Sequence, residues 1–389
     1  MKRIYLDNGA TSYPKAPLVG DAVKYFIENV ASNVNRSGYA LAQTAEEIVF
    51  ETREKLGQLF NFHQSENVIF TLNVTYALNF LLKGLLKPGD HCIVSSMEHN
   101  AIMRPLMQLK EKGIEFSRVI CDEQGRLQPQ DLYLHIKQNT KVVAMTHASN
   151  VCGTILPMEE IGKICAEKGL IFIVDGAQTA GIIDVDCKKI KADAIAFTGH
   201  KSLLGPQGIG GFLTTDSIAK TMGTLVSGGT GSLSEYEEQP PYLPDKFEAG
   251  TLNLPGIYGL HAALGYLNKV GINYVWEKEM YLAKMLLEGF GNIKGVHIAG
   301  LRETKGRTAV VSVDFKGHDN ADVAYHLDKY YGIKTRCGLH CAPSAHKTLG
   351  TFPQGTVRFS PGHFNTEEDI KKTLSALNRI LKDLGGTGQ

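Results

Sequence analysis

The 389-residue chain carries a formal net charge of +1, with 43% hydrophobic and 21% charged residues. This is the balance of an ordinary soluble globular protein, without the basic excess that nucleic acid demands or an acidic solvating tail. No apolar run approaches the ~18 residues of a membrane-spanning helix. The length exceeds what one compact core usually holds, so one large and one small domain are expected. The N-terminal stretch reaches Asp7 before a secretory apolar core forms, which predicts a cytoplasmic protein. Seven cysteines, an odd count spread from Cys92 to Cys341, do not read as a disulfide framework. Cys92, Cys121, Cys152, Cys165 and Cys187 are expected to be small buried apolar residues.

In chain order, strands are predicted over 68–71, 91–95, 141–146, 170–175, 192–197 and 209–214. Helices are predicted over 76–86, 101–112, 159–168 and 217–225. Short apolar strands separated by helices predict an α/β fold with a mostly parallel sheet covered on both faces. Residues 227–244 are rich in Gly, Pro and Glu and read as a loop, too long to be an idle connection. After Pro255 the texture changes to long helical segments, followed by strands over 308–315 and 332–336 with a helix between them. The last helix is expected to open at Thr366, with Asp369 three residues on in a capping-box-like pattern. Its apolar positions Ile370, Leu374, Leu377, Ile380, Leu381 and Leu384 follow helical spacing. The expected division is a large domain over 14–255 and a small α+β domain made of 1–13 and 256–389.

The chemistry gathers at strand ends. One apolar strand ends in the carboxylate of Asp175, and another runs into Thr198, Gly199, His200 and Lys201. A carboxylate at one strand end and a lysine just past another suit pyridoxal phosphate, whose aldehyde takes the lysine amine and whose ring nitrogen takes the carboxylate. A phosphate needs donors and a helix N-terminus. The backbone N–H groups near Thr75 and Tyr76 and the side chains of Thr198 and His200 are the candidates. Thr75 alone is more often a plain helix cap, and the Asp175 and Lys201 arrangement is what favours a phosphate there. His99 and Asn150 each follow a strand, where open α/β sheets place ligands. His99 suits stacking on a pyridine ring, although a lone His is more often structural. Gln178 suits donation to the ring oxygen. Arg358 suits a bidentate clamp on a carboxylate; by itself it is also an ordinary surface charge. Three readings of Cys341 stay open: a reactive thiol whose thiolate His340 and Arg336 stabilise, a zinc site with Cys337, His340 and His346, and inert buried thiols.

Taken together, several segments resemble the class V, fold-type I pyridoxal phosphate enzymes, and specifically the Suf-type (group II) cysteine desulfurases and selenocysteine lyases. They are Tyr5-Leu6-Asp7-Asn8-Gly9-Ala10-Thr11-Ser12, Glu98-His99, Ser149-Asn150-Val151-Cys152-Gly153-Thr154 and Asp175-Gly176-Ala177-Gln178. They continue with Gly199-His200-Lys201, Phe247-Glu248-Ala249-Gly250-Thr251-Leu252-Asn253 and Arg336-Cys337-Gly338-Leu339-His340-Cys341-Ala342. The resemblance implies a fold-type I architecture with a seven-stranded sheet, pyridoxal phosphate and no metal. It implies conversion of L-cysteine to L-alanine with sulfur passed to an enzyme persulfide, and then to an acceptor protein or small thiol. L-Selenocysteine lyase, aminotransferase and epimerase activities are the alternatives. Lys201 would carry the cofactor, Asp175 pair with its ring nitrogen, His99 stack on the ring and Gln178 bond its hydroxyl. Thr75, Thr198 and His200 would hold the phosphate, and Thr251 would reach the phosphate of the other subunit in a homodimer. Asn150 and Arg358 would bind the substrate carboxylate. Cys341 would take the sulfur, with Arg336 supporting its loop.

The chain departs from that pattern in places. Gly9 stands where an Ala is usual, Cys337 where a Thr is common, Leu339 in place of a His, and Tyr76 in place of a Glu. Cys337, four residues before Cys341, admits two readings: a thiol that resolves a Cys341 persulfide, or a packing residue of similar size to Thr.

Overall fold

The computed structural model describes residues 3–34 and 40–386. The first strand, β1 (Ile4–Tyr5), belongs to the smaller half of the molecule. The next seven are β2 (Val68–Thr71), β3 (His91–Ser95), β4 (Glu115–Val119), β5 (Thr140–Thr146), β6 (Ile171–Asp175), β7 (Ala194–Thr198) and β8 (Gly210–Thr214), and they form one sheet ordered β2-β8-β7-β6-β5-β3-β4. Strand β8 is antiparallel to both of its neighbours, and every other pair is parallel. Every residue of β3, β7 and β8 is buried, as expected of a sheet covered on both faces. Gly211 lets β2 approach β8, since a Cβ there would lie 2.1 Å from the Ile69 carbonyl oxygen.

Two apolar clusters cover the two faces. One contains Val19, Phe26, Leu56, Phe172, Phe197 and the helix Leu254–Val270; the other contains Leu78, Leu81, Ile102, Leu106 and Phe212. A second sheet is antiparallel throughout, built from β9 (Val296–Ala299), β10 (Val311–Phe315), β12 (Arg336–Gly338) and β13 (Thr356–Phe359) in the order β12-β13-β10-β9. Strand β11 (Ile333–Lys334) pairs in parallel with β1. A third cluster lies under this sheet, with Leu286, Phe290, Val313, Phe359, Leu377 and Ile380. In the last helix, Glu367–Gly386, the capping box forms as predicted. The Asp369 carboxylate accepts from Thr366 N at 3.0 Å, and Asp369 N donates to Thr366 Oγ1 at 3.3 Å.

Four strands and one long helix lie outside the sequence expectations. β4 is an edge strand with one buried residue, so it lacks the apolar run that marked its neighbours. β1, β9 and β13 are two to four residues long, too short for periodicity to register. The helix Ala40–Leu59 buries Ala42, Ala45, Val49, Thr52, Arg53 and Leu56, a readable amphipathic stripe that was not assigned. The single strand expected over 332–336 is two, β11 and β12, belonging to different sheets. The helix expected over 217–225 closes at Thr221. Residues 222–253 contain no helix or strand, as expected of a long loop. Among the described residues, no helix is long and apolar enough to cross a membrane.

Candidate active site

The parallel strands of the large sheet deliver one wall of the site from their C-terminal ends, where open α/β sheets place their ligands. Asp175 is the last residue of β6 and is buried, with Oδ1 accepting from Ala177 N at 3.0 Å. Burial pushes its pKa up, an effect that the Ala177 N–H and the nearby Lys201 charge oppose. Lys201 lies three residues past β7 and is half-buried. Burial pushes its amine down to about 8, with Asp175 raising it and Arg358 and Arg336 lowering it further. An amine so placed is neutral far more often at neutral pH than a surface lysine.

His99 caps the helix Asn100–Lys110, its Nδ1 accepting from Ala101 N at 3.0 Å. A backbone N–H can only donate, so the ring proton sits on Nε2. Burial first, then the charges of Lys201, Arg336, Arg358 and Arg104, push His99 down to about 3. Two polar atoms beside Lys201, Thr198 Oγ1 and His200 Nδ1, are buried without a hydrogen-bond partner among the described residues. Gln178 donates through Nε2 to the Gly9 carbonyl at 3.0 Å. Gln178, Gly9 and Lys201 border one cavity of ≈ 30 Å³ together with Ser12, Ser360 and the buried Glu279.

The opposite wall comes from the antiparallel sheet. β12 and β13 set Arg336 directly across from Arg358. Arg358 is fully buried rather than a surface charge. Its Nη1 donates to the Asn150 carbonyl at 3.0 Å, its Nη2 pairs with Asp7 Oδ1 at 2.7 Å, and its Nε has no partner. The Asn150 amide donates to the His340 carbonyl at 2.7 Å, leaving its Oδ1 buried and unpartnered. Cys341 is exposed, in a left-handed backbone conformation with φ of 59°, and Arg336 Nη2 lies 3.5 Å from its Sγ. The Cys341 carbonyl accepts from Asn100 N at 2.8 Å, so the thiol's loop rests on the helix that His99 caps.

The structure corrects several expectations. His340 does not support the thiol as a cation: it turns inward, Nε2 lies 3.0 Å from Thr356 Oγ1, and burial pushes its pKa down to about 2. Arg336 is left as the cation touching Cys341. Cys337 pairs with Val357 on the face of β12 opposite Arg336 and packs against the third apolar cluster, which favours the packing reading over a resolving thiol. The N–H groups of Thr75 and Tyr76 are capped by Asn73 Oδ1, at 3.0 and 3.2 Å, so they do not stand open for a phosphate. Thr75, Tyr76 and Thr251 are exposed, and the latter two border a hollow of ≈ 280 Å³ with Leu72 and Val226. Among the described residues, no three His, Cys, Asp or Glu side chains gather as metal ligands.

Three contributors had no role in the sequence reading. Glu98 is buried, accepting from Ser95 on β3 and from Thr146 N on β5 at 2.9 Å, so it laces two strands together below the site. Lys15 donates to the His200 carbonyl at 2.9 Å and to Thr11 and Ser12, holding the lysine loop. Asp7 stands within a quoted motif, but nothing local signals a partner 351 residues away. The donor set fits pyridoxal phosphate: a buried carboxyl for the ring nitrogen, a lysine of lowered pKa, and two unpartnered donors, Thr198 and His200, beside it.

Comparison with known proteins agrees with this geometry. The family model for aminotransferase class-V matches residues 4–373. A probable cysteine desulfurase of Methanothermobacter thermautotrophicus is 34% identical over 99% of this chain and 95% of its own length. One of Pyrococcus abyssi is 35% identical over 98% and 95%. An apo cysteine desulfurase from Thermococcus onnurineus NA1 superposes with a TM-score of 0.91 at 34% identity, covering 98% of this chain and 95% of that one. The Escherichia coli cysteine desulfurase CsdA, in its S-sulfonic acid form, gives 0.87 at 30% identity over 98% and 95%. A match across nearly the whole chain, in a fold that converges Asp175, Lys201, Arg358 and Cys341, makes this protein a member of the aminotransferase class-V family.

Proposed function

We propose that the protein is a pyridoxal phosphate-dependent cysteine desulfurase, converting L-cysteine to L-alanine and leaving the sulfur as a persulfide on Cys341. The observation that carries the reading is an exposed thiol 3.5 Å from a guanidinium, on the rim of a site that also holds a half-buried lysine and a fully buried arginine. Bound there, pyridoxal phosphate supplies an aldehyde for the substrate amine and a protonated ring that draws electrons from the substrate Cα.

The residues divide the remaining work. Asp175 keeps a proton on the ring nitrogen, since a buried carboxylate stabilises the cation it faces. Thr198 and His200 donate to the phosphate, and His99 offers a neutral ring face and an Nε2–H. Arg358 and Asn150 hold the substrate carboxylate. Lys201 Nζ moves the Cα proton, and its lowered pKa leaves a neutral amine to receive it. Arg336 holds the Cys341 side chain at the rim, its Nη2 3.5 Å from Sγ. The Cys341 Sγ–S bond forms as the substrate Cβ–S bond breaks, and Cβ takes up a proton to complete alanine. A short segment, 339–342, carries the thiol between β12 and the helix Pro343–Thr348, within the Arg336–Ala342 motif that underlies the Suf-type resemblance.

We further propose a homodimer in which Thr251 reaches the partner's phosphate, because exposed Leu72, Tyr76 and Val226 border the same hollow as Thr251. The two lobes are read as 14–255 and 1–13 with 256–389, tied by the helix Leu254–Val270, which packs into the core of the large sheet. The persulfide sulfur passes to an acceptor protein or a small thiol. The test is incubation of the cofactor-loaded protein with L-cysteine, reading alanine, sulfide and intact mass. Without added thiol, one alanine per site with one sulfur added at Cys341 and no matching free sulfide is the expected result; with dithiothreitol as the reductant, alanine and sulfide are released in equal amounts. Pyruvate or a transaminated cofactor in place of alanine would overturn the reading.

A further inference from the structure

The stretch from Tyr5 to Lys15 runs as a strap between the two sheets, and several of its ties end at site residues. Gly9 O receives the Gln178 amide at 3.0 Å. Ser12 N and Lys15 Nζ both bond the His200 carbonyl, each at 2.9 Å. Asp7 Oδ1 meets Arg358 Nη2 at 2.7 Å, and the Asp7 backbone bridges Ser360 on the far side of that arginine.

Arg358 is therefore a fully buried cation whose one carboxylate partner among the described residues comes from the strap. Its other tie is a carbonyl, and its Nε is unpartnered. Removing one partner of a buried charge costs far more than the pair is worth, because the remaining charge cannot reach water. The guanidinium must accordingly sit where Asp7 holds it. The space against which it rests is set by Gly9: a Cβ there would lie 3.3 Å from Arg358 Cζ and 3.3 Å from Ser360 Oγ. Such a contact is tighter than side chains normally accept, so an alanine at this position displaces the guanidinium by a few tenths of an ångström. The chain carries glycine at this point, and the gap it leaves is filled by the arginine.

We propose that Asp7 and Gly9 are positioning residues for Arg358, so that the strap, which need not touch the substrate, sets how tightly the site holds an α-carboxylate. The inference rests on the reading of Arg358 as the carboxylate clamp. A fork of donors loses bidentate geometry with small displacements, and the effect should therefore fall on ligands that have a carboxylate and spare those that lack one.

The experiment measures binding of L-alanine and of ethylamine, the same amine without the carboxylate, to the cofactor-loaded enzyme by calorimetry and by the visible spectrum. Asp7→Ala should weaken L-alanine about tenfold and leave ethylamine unchanged. Asp7→Asn, whose amide oxygen still accepts from Nη2, should recover most of the loss. Gly9→Ala should weaken L-alanine several-fold with an unaltered cofactor spectrum. In turnover, both Asp7→Ala and Gly9→Ala should raise the KM for L-cysteine more than they lower kcat. Arg358→Lys is the internal standard. If it selectively weakens L-alanine while the strap variants do not, the strap inference fails and the clamp stands. If Arg358→Lys also spares L-alanine, the carboxylate reading itself is overturned. A strap variant that weakens both ligands equally has only a general structural role, which also sinks the proposal.

Discussion

The two walls of the site solve opposite electrostatic problems. The wall from the parallel sheet is desolvated: burial lowers Lys201 to about 8, His99 to about 3 and His200 to about 4, and raises Asp175. It is a place where protons are held on chosen atoms. The wall from the antiparallel sheet presents two guanidiniums, Arg336 and Arg358, side by side across a strand pair. It is a place of positive charge, with one guanidinium beside the Cys341 thiol and the other paired with Asp7. Burial acts on both walls, but only the antiparallel one opposes it with two guanidiniums set side by side by strand pairing, so the walls should fail in different ways.

The largest effect expected is on the desolvated wall. Lys201→Ala should remove the visible absorbance of the loaded enzyme and lower turnover by at least about a thousandfold, as loss of a proton-moving group does. Spectra and alanine release check it together. Next comes the cationic wall: Cys341→Ser should keep the cofactor spectrum and substrate binding, yet lower sulfide release from L-cysteine by about a hundredfold or more. If the two variants lose the same properties, the walls are not separable. Arg336→Gln should slow sulfide release from L-cysteine several-fold with an unaltered cofactor spectrum, because the guanidinium 3.5 Å from Sγ holds the nucleophile in place. An unchanged rate would remove Arg336 from that role.

A smaller effect concerns stability. His340 is held neutral by burial, pushed to about 2 from an ordinary 6.5. Its contribution is complete above pH 6.5. Below that, the unfolded chain binds a proton that the folded chain refuses, and stability falls as pH drops toward the folded value. Between pH 7 and 5 this one ring should cost about 2 kcal/mol. His340→Asn should flatten the pH dependence of the urea midpoint over that interval. The smallest effect is at Cys337, whose side chain faces the apolar cluster. Cys337→Ser should leave persulfide lifetime and sulfide release unchanged and cost about 1 kcal/mol of stability.

Much of the desolvated wall was legible because its logic is local. Asp175 and Lys201 follow apolar runs that periodicity identifies as strands, and strand ends in a parallel sheet point to one crevice. The cationic wall depends on pairing: Arg336 and Arg358 meet only because β12 and β13 are neighbours, and β13 is too short to announce itself. The motif resemblance named Arg358 and Cys341 without saying what holds them. Asp7, across 351 residues from its partner, and the inward turn of His340 toward Thr356 are products of tertiary packing that no window of sequence contains. The cap that Asn73 places on Thr75 and Tyr76 was readable, since Asn ahead of an apolar helix is a common N-cap.

The hydrogen bond from Asn100 N to the Cys341 carbonyl has a bearing on how sulfur leaves the enzyme. It fastens the backbone of the nucleophile while its side chain stays exposed, so the thiol swivels but its loop does not travel. A courier segment that sweeps outward would have to break this bond and the Asn150 tie to His340 on each cycle. The cheaper arrangement is a fixed landing point. On the proposed desulfurase reading, an acceptor that brings its own thiol to the rim is the one this arrangement serves.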